Sequence, residues 1–151
     1  MENAIEYESY VSLSMARRLK DAGFDWPVRS FYQDSIPGSH LDQIFRDNPD
    51  KRNIRHDLPF GKEDWNHKKM NDRIYYSCPT LAVAQRWLRE EKQIYVDASF
   101  ARGPRDFVVI YIDGRIDGGY AGQLDKRGLL SYEEALEFGI SDALYWLGIP
   151  F

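Results

Sequence analysis

Three histidines each stand near an acid in one stretch of this chain: His40 with Asp42, His56 with Asp57, and His67 with Asp64. Imidazole and carboxylate are the ligand types that hold zinc or non-haem iron, and the same groups serve acid–base chemistry. The spacings are wide, and none puts two histidines on one helix face four residues apart, as a helical zinc motif requires. Polar surface loops collect histidine and aspartate by default. The pattern therefore names no metal ligand, no catalytic residue and no cofactor. Cys78 is the only cysteine, with no histidine beside it in sequence, and it reads as a core or helix-edge residue. A lone cysteine also excludes an intrachain disulfide and a cysteine-based structural zinc site.

The second pattern interleaves cations with rings: Arg52, Arg55, Lys62, Trp65, Lys68, Lys69, Arg73, Tyr75 and Tyr76. Such a surface can hold phosphates and stack bases. The candidate ligand contacts drawn from it are Arg55, Trp65, Lys69, Arg73 and Tyr75, extended by Arg86 and Arg89 on the outer face of a following helix. Asp47, Asp50, Asp57, Glu63, Asp64 and Asp72 lie among these cations. The plain alternative is a solvated mixed-charge surface with aromatic anchors. Gly114, Gly118, Gly119 and Gly122 form a loose glycine-rich stretch without GxGxxG or Walker spacing, so turn chemistry explains it.

The chain that must position these residues has 151 of them, enough for a single domain, 1–151, with a real core. Its net charge of −4 opposes a general nucleic-acid binder, which needs an excess of Lys and Arg. Met1–Glu6 lacks a basic, then apolar, leader, and no run of 18 apolar residues occurs. A cytoplasmic protein that does not enter a membrane is expected.

Ser12 caps a helix over 12–22 that Gly23 ends. A strand is expected at 28–33. From 34 to 73 no period of 2 or 3.6 persists, and Pro37, Gly38, Pro49, Pro59 and Gly61 interrupt it repeatedly. Such length is usually functional or mobile. Ile44, Phe45, Ile54, Leu58, Phe60 and Trp65 are available as anchors, and a short helix at 41–46 with Ser39 as its cap fits within this irregular lobe. Ile74–Tyr76 then pairs back with 28–33, making the lobe an elaborate hairpin tip. Pro79 suits the first turn of a helix over 80–92. Alternation marks a half-buried strand at 94–101, Arg102–Arg105 a turn, and Phe107–Ile112 a central strand. Ser131 and Glu134 form a capping box for a helix over 132–147, which Gly148 terminates. Phe138 and Tyr145, seven residues apart and off its main stripe, are candidate interface residues.

The fold expected is α+β: an antiparallel sheet of about four to five strands, with three main helices packed mostly on one face. Helix, strand, strand, helix from 79 to 147 has the layout of a double-stranded-RNA-binding domain, but an acidic Ser131-Tyr132-Glu133-Glu134 stands where that function needs cations.

Two helix openings, Pro79-Thr80-Leu81-Ala82-Val83-Ala84-Gln85-Arg86-Trp87-Leu88-Arg89-Glu90 and Ser131-Tyr132-Glu133-Glu134-Ala135-Leu136-Glu137, join Tyr10-Val11-Ser12-Leu13 and Ala22-Gly23-Phe24 near the start. Together they resemble small prophage- and phage-encoded proteins of gut bacteria, a family of unknown function. The resemblance covers both ends of the chain and leaves out the lobe. It implies a phage or mobile-element context and assigns no residue a role. The reading that follows is a non-enzymatic accessory protein acting through a protein partner or self-association. The alternative is a binder of a small anionic ligand or nucleotide on the basic-aromatic surface.

Overall fold

The computed structural model describes residues 9–57, 61–103, 106–115, 120–124 and 131–151. The chain divides into two compact units, Val11–Pro79 and the remainder. The class is α+β with antiparallel pairing throughout the described strands, but the strands lie in two three-stranded sheets instead of one.

In the Val11–Pro79 unit, helix α1 (Leu13–Asp21) opens on Ser12, whose Oγ accepts from the Met15 amide at 3.1 Å. It closes through Gly23 at φ +94°, a conformation that favours glycine, and the Phe24 amide donates back to Leu19. Strand β1 (Ser30–Ser35) begins two residues later than expected, because Val28 is occupied elsewhere, exchanging two backbone bonds with Glu63. Helix α2 is His40–Asp47 and β2 is Arg55–His56. β3 (Arg73–Ser77) pairs with β1 from Phe31↔Ser77 to Ser35↔Arg73, so the lobe is the tip of a long hairpin, as its flanks imply. β2 takes the other edge of β1, and α1 packs on β3.

Ser39 takes the N-cap position of α2, as expected, but its side chain makes no capping bond; its buried hydroxyl has no hydrogen-bond partner among the described residues. Asp42 ties the turn instead, accepting from the Gly38 amide and the Ser35 hydroxyl. The Gly38 amide, above all, holds the Asp42 carboxyl below its ordinary range. Phe45 and Trp65 anchor the lobe as expected, whereas Ile44 is exposed. Leu58, Pro59 and Phe60 fall outside the described residues. The anchor that hydropathy misses is Asn66, which is buried. Its amide donates to the Phe24 carbonyl and accepts from the Ser77 amide, both at 2.8 Å.

In the second unit, α3 (Leu81–Lys92) starts two residues beyond Pro79, with Thr80 as its cap through the Val83 amide, so Pro79 stands before the cap and not in the first turn. Gln93 turns the chain at φ +58° directly into β4 (Ile94–Gly103). Its carbonyl accepts from Gly114, where a side chain would come within 2.9 Å of that oxygen. β4 pairs with β5 (Asp106–Asp113) through a ladder that shifts register between Phe100 and Gly103, so strand pairing continues into the expected turn. β5 is central, as its apolar run implies. Its other neighbour is β6 (Tyr120–Leu124), which places Gly122 opposite Tyr111 in a strand and not in a glycine turn. Gly118 and Gly119 lie outside the described residues.

Helix α4 (Tyr132–Trp146) opens on Ser131, whose Oγ accepts from the Glu134 amide, and ends through Gly148 at φ +87°. α3 packs on β4, and α4 on β4 and β5. α4 approaches so closely that a Cβ on Gly139 would stand 2.6 Å from methyls of both Val96 and Val109. Among the described residues no helix is long and apolar enough to cross a membrane.

Candidate functional site

Strand alternation builds one face of the first unit. Gln33 lies opposite Tyr75, Phe31 opposite Arg55, and Arg73 two pairs beyond Gln33, opposite Ser35 and so on the same side. A 3₁₀ turn at Trp65–His67 lays the Trp65 ring on Phe31, with centroids 4.0 Å apart, and 5.7 Å from Tyr75. The Trp65 indole N–H is spent on the Val28 carbonyl. α2 supplies Phe45, and the 3₁₀ turn Pro49–Arg52 supplies Lys51.

The result is a cleft of about 440 Å³ lined by Phe31, Gln33, Phe45, Lys51, Arg55, Trp65, Lys68, Arg73 and Tyr75. That size lies within the usual range for small-molecule sites. Among the described residues, four cations and no carboxylate line it. Lys68 stands 4.7 Å over the Trp65 ring and pairs with Glu63 at 3.1 Å, just outside the lining. Arg73 donates to the Gln33 amide oxygen, and the Gln33 amide nitrogen donates to the Lys51 carbonyl, both at 3.4 Å. Among the described residues no carboxylate pairs with Lys51, Arg55 or Arg73.

Of the candidate ligand contacts, Arg55, Trp65, Arg73 and Tyr75 meet here. Lys69 is exposed and does not line the cleft; its neighbour Lys68 does. Arg86 and Arg89 belong to the other unit, on α3, and neither lines the cleft; Arg86 pairs with Glu90 at 2.9 Å. Arg52 is structural, bonded to Asp34 and to the Phe45 carbonyl. Tyr76 lies under the charges of Arg17 and Lys20. Gln33 and Lys51 are absent from the pattern of cations and rings, and Lys68 belongs to it but not to the candidate contacts drawn from it. The alternation of Gln33 with Phe31 was the available signal for the first. Lys51 lies in a 3₁₀ turn and Lys68 directly after one, and such turns leave no period.

The histidines do other things. His56 meets the buried Ser30 hydroxyl at 2.5 Å, and His67 meets Asp64 at 2.5 Å. His40 opens α2. Among the described residues no three His, Cys, Asp or Glu side chains gather to hold a metal. Cys78 is 1% exposed, and burial pushes its thiol up to about 12.

The second unit has a smaller hollow, about 270 Å³, where the openings of α3 and α4 meet around Thr80, Leu81, Tyr132 and Leu136. Its one charged lining residue is Glu133. Beside it the Tyr95 and Tyr132 hydroxyls both donate to Asp97, whose charge helps push the two phenols up. Phe138 is half-buried. Tyr145 is 56% exposed and stacks on Phe151, which is 78% exposed, at 5.3 Å.

Comparison of the chain with protein-family models, curated proteins and solved structures returns no match, so none ties it to the phage-encoded proteins its helix openings resemble.

Proposed function

We propose that the Val11–Pro79 unit is a non-enzymatic binding module for a small anionic ligand, seated in the cleft of Lys51, Arg55, Lys68 and Arg73. The observation that carries this reading is four cations on one cleft, with no carboxylate among the described residues that line it. Their placement opposes the balance of the whole chain. Val11–Pro79 holds twelve Lys and Arg against ten Asp and Glu, net +2, and the remainder eight against fourteen, net −6. Lys68 has Glu63 beside it, but Lys51, Arg55 and Arg73 pair with no carboxylate among the described residues; gathering such like charge is unfavourable in the empty protein, and an anion reverses the sign. A cytoplasmic setting belongs to the same proposal, and the buried free thiol of Cys78 is consistent with it. Calorimetric titration with inorganic pyrophosphate at low salt tests the reading. Binding is expected in the parent, weakened about tenfold or more in a Lys51→Ala, Arg55→Ala double variant. No binding, or equal binding by the variant, overturns it.

A second reading, association with a partner or another copy, is favoured by the exposed Tyr145–Phe151 stack at the end of α4. Phe138, half-buried on the same helix, is the other candidate contact. The accessory role implied by the resemblance to phage-encoded proteins belongs here. Sedimentation of the parent and of Tyr145→Ser tests it: a concentration-dependent mass that the substitution abolishes supports it, and a monomer at all concentrations overturns self-association.

A further inference from the structure

Resting on the anion reading of the cleft, we infer that its ligand is an oligophosphate, recognised by its phosphate chain and not by an attached base. Base-binding surfaces offer exposed ring faces on which a base can stack. Here the rings are a floor and not a platform. Trp65 and Tyr75 are each 5% exposed. One face of Trp65 is taken by Phe31 at 4.0 Å, and the Lys68 ammonium stands over the ring at 4.7 Å. The same ammonium lies 5.8 Å from the Tyr75 centroid. A ligand entering the cleft meets the cation first.

Edge readout of a base is restricted in the same way. The one amide in the lining, Gln33, is 8% exposed and engaged at both ends. Among the described residues no carboxylate, and no hydroxyl of Ser or Thr, lines the cleft. What remains to recognise a ligand is charge, and that charge is spread out. Arg55 and Arg73 stand on the two strands that flank β1, opposite Phe31 and Ser35 respectively. Four residue steps along β1 separate those partners, about 14 Å at 3.4 Å per step. Lys51 lies in one 3₁₀ turn, and Lys68 directly follows the other. A row of cations matches a row of phosphates better than a single one, since each further phosphate can add charge-assisted bonds to guanidinium or ammonium.

Pyrophosphate, tripolyphosphate and the phosphate tail of a nucleoside triphosphate share this chemistry. Calorimetry on the full chain separates them, with orthophosphate, adenosine, AMP, ATP, UTP, tripolyphosphate and a short oligonucleotide as titrants. Expected is tripolyphosphate binding equal to ATP and UTP within about threefold, with orthophosphate and AMP weaker by about tenfold or more and adenosine silent. Arg55→Lys and Arg73→Lys should retain more affinity than the corresponding alanine variants. AMP or adenosine binding as tightly as tripolyphosphate, or purine and pyrimidine triphosphates differing tenfold, overturns phosphate-chain recognition while leaving the cleft as the site. An oligonucleotide binding tenfold tighter than tripolyphosphate overturns the small ligand. If no titrant binds, or alanine at Lys51, Arg55 and Arg73 changes nothing, the anion reading of the cleft itself falls.

Discussion

In the unit that ends in α4, the contacts that fix the fold are apolar. Trp87, Leu88, Ile94, Val96, Val109, Ile140 and Leu144 are fully buried, and Gly139 lets the helix lie against Val96 and Val109. The Val11–Pro79 unit has a buried core too, at Leu19, Phe24 and Phe45, but polar groups tie its irregular segment down. Asn66 joins Phe24 to Ser77, Asp34 holds Arg17 and Arg52, and Asp42 closes the turn before α2. Regular elements satisfy their own backbone and can be packed by apolar area alone. An irregular segment has to find a partner for each buried amide and carbonyl, so side chains must supply them. The irregular unit is also the one that gathers cations on a cleft.

The largest effects test that contrast directly. Trp87→Ala should cost about 3–5 kcal/mol, the usual range for emptying a buried aromatic site. Asn66→Ala removes little apolar area yet strands the Phe24 carbonyl and Ser77 amide, at about 1–3 kcal/mol each. Asn66→Asp should not restore the loss, because an ionised carboxylate has no proton to donate to Phe24. Chemical denaturation of each variant gives the comparison. An Asn66→Ala cost below about 1 kcal/mol would mean that polar ties do not hold the irregular unit.

Gly139→Ala is the next test, on the apolar side. Alanine gains about 1 kcal/mol over glycine in a helix interior. The new methyl meets two stiff β-branched side chains at 2.6 Å, and overpacking of this kind costs about 1–3 kcal/mol. A net destabilisation near 1 kcal/mol is expected, relieved when Val96→Ala is added to the same chain. A gain in stability from Gly139→Ala alone would show that α4 can move off the sheet at no cost.

These two sites also show how much of the molecule was legible. The helices around Leu19, Leu88 and Leu144 declare themselves by period and caps, because the same spacing that buries their faces is written in the sequence. β1 and β3 were legible as partners. Asn66, Gln33 and Lys51 were not. Each acts through one backbone carbonyl, one amide or one short 3₁₀ turn, and none of these leaves a period. The same difficulty put Lys69 in place of Lys68 among the candidate contacts and hid that the Ser39 hydroxyl, at the N-cap position, makes no capping bond. β6 was missed because Gly122 reads as a turn when the neighbour that pairs with it, Tyr111, is not in view. The division of strands into two sheets is a matter of long-range pairing, which local pattern does not encode.

Cys78 asks whether the polar unit is nevertheless dry at its centre. Its folded-state thiol keeps its proton up to about 12, against 9.0 for the ordinary thiol, because burial opposes the thiolate. The raised value means that the native state binds more protons than the unfolded chain between these limits. The stabilisation is therefore complete below about pH 9 and is lost as pH rises towards 12, by at most about 1.4 kcal/mol per pH unit. Comparing the parent with Cys78→Ala between about pH 8.5 and 10, the parent should lose about 1 kcal/mol more than the variant. Thiol reagent should label the native protein far more slowly than the denatured one. Prompt labelling at neutral pH would mean that water reaches the centre of this unit.

The smallest effect has the opposite sign. Most substitutions at the sites above remove a favourable contact, but Lys51→Ala and Arg55→Ala remove repulsion. These side chains share a cleft with Arg73 and Lys68, and among the described residues no carboxylate pairs with Lys51, Arg55 or Arg73. Exposed like charges typically cost a few tenths of a kcal/mol per neighbour at low ionic strength. Each variant should therefore be more stable than the parent by about 0.2–0.5 kcal/mol in low salt. The gain should shrink towards zero as salt screens the cleft. The same variants are the ones expected to lose anion binding, so stability and affinity move in opposite directions, as they do where a site holds strain for a ligand. Thermal melts at two ionic strengths, with and without tripolyphosphate, measure both at once. If Lys51→Ala and Arg55→Ala are instead destabilised, and equally so in high salt, these cations are scaffold like Arg52. The contrast between a packed unit and a charged, ligand-ready one then fails at the residues that define it.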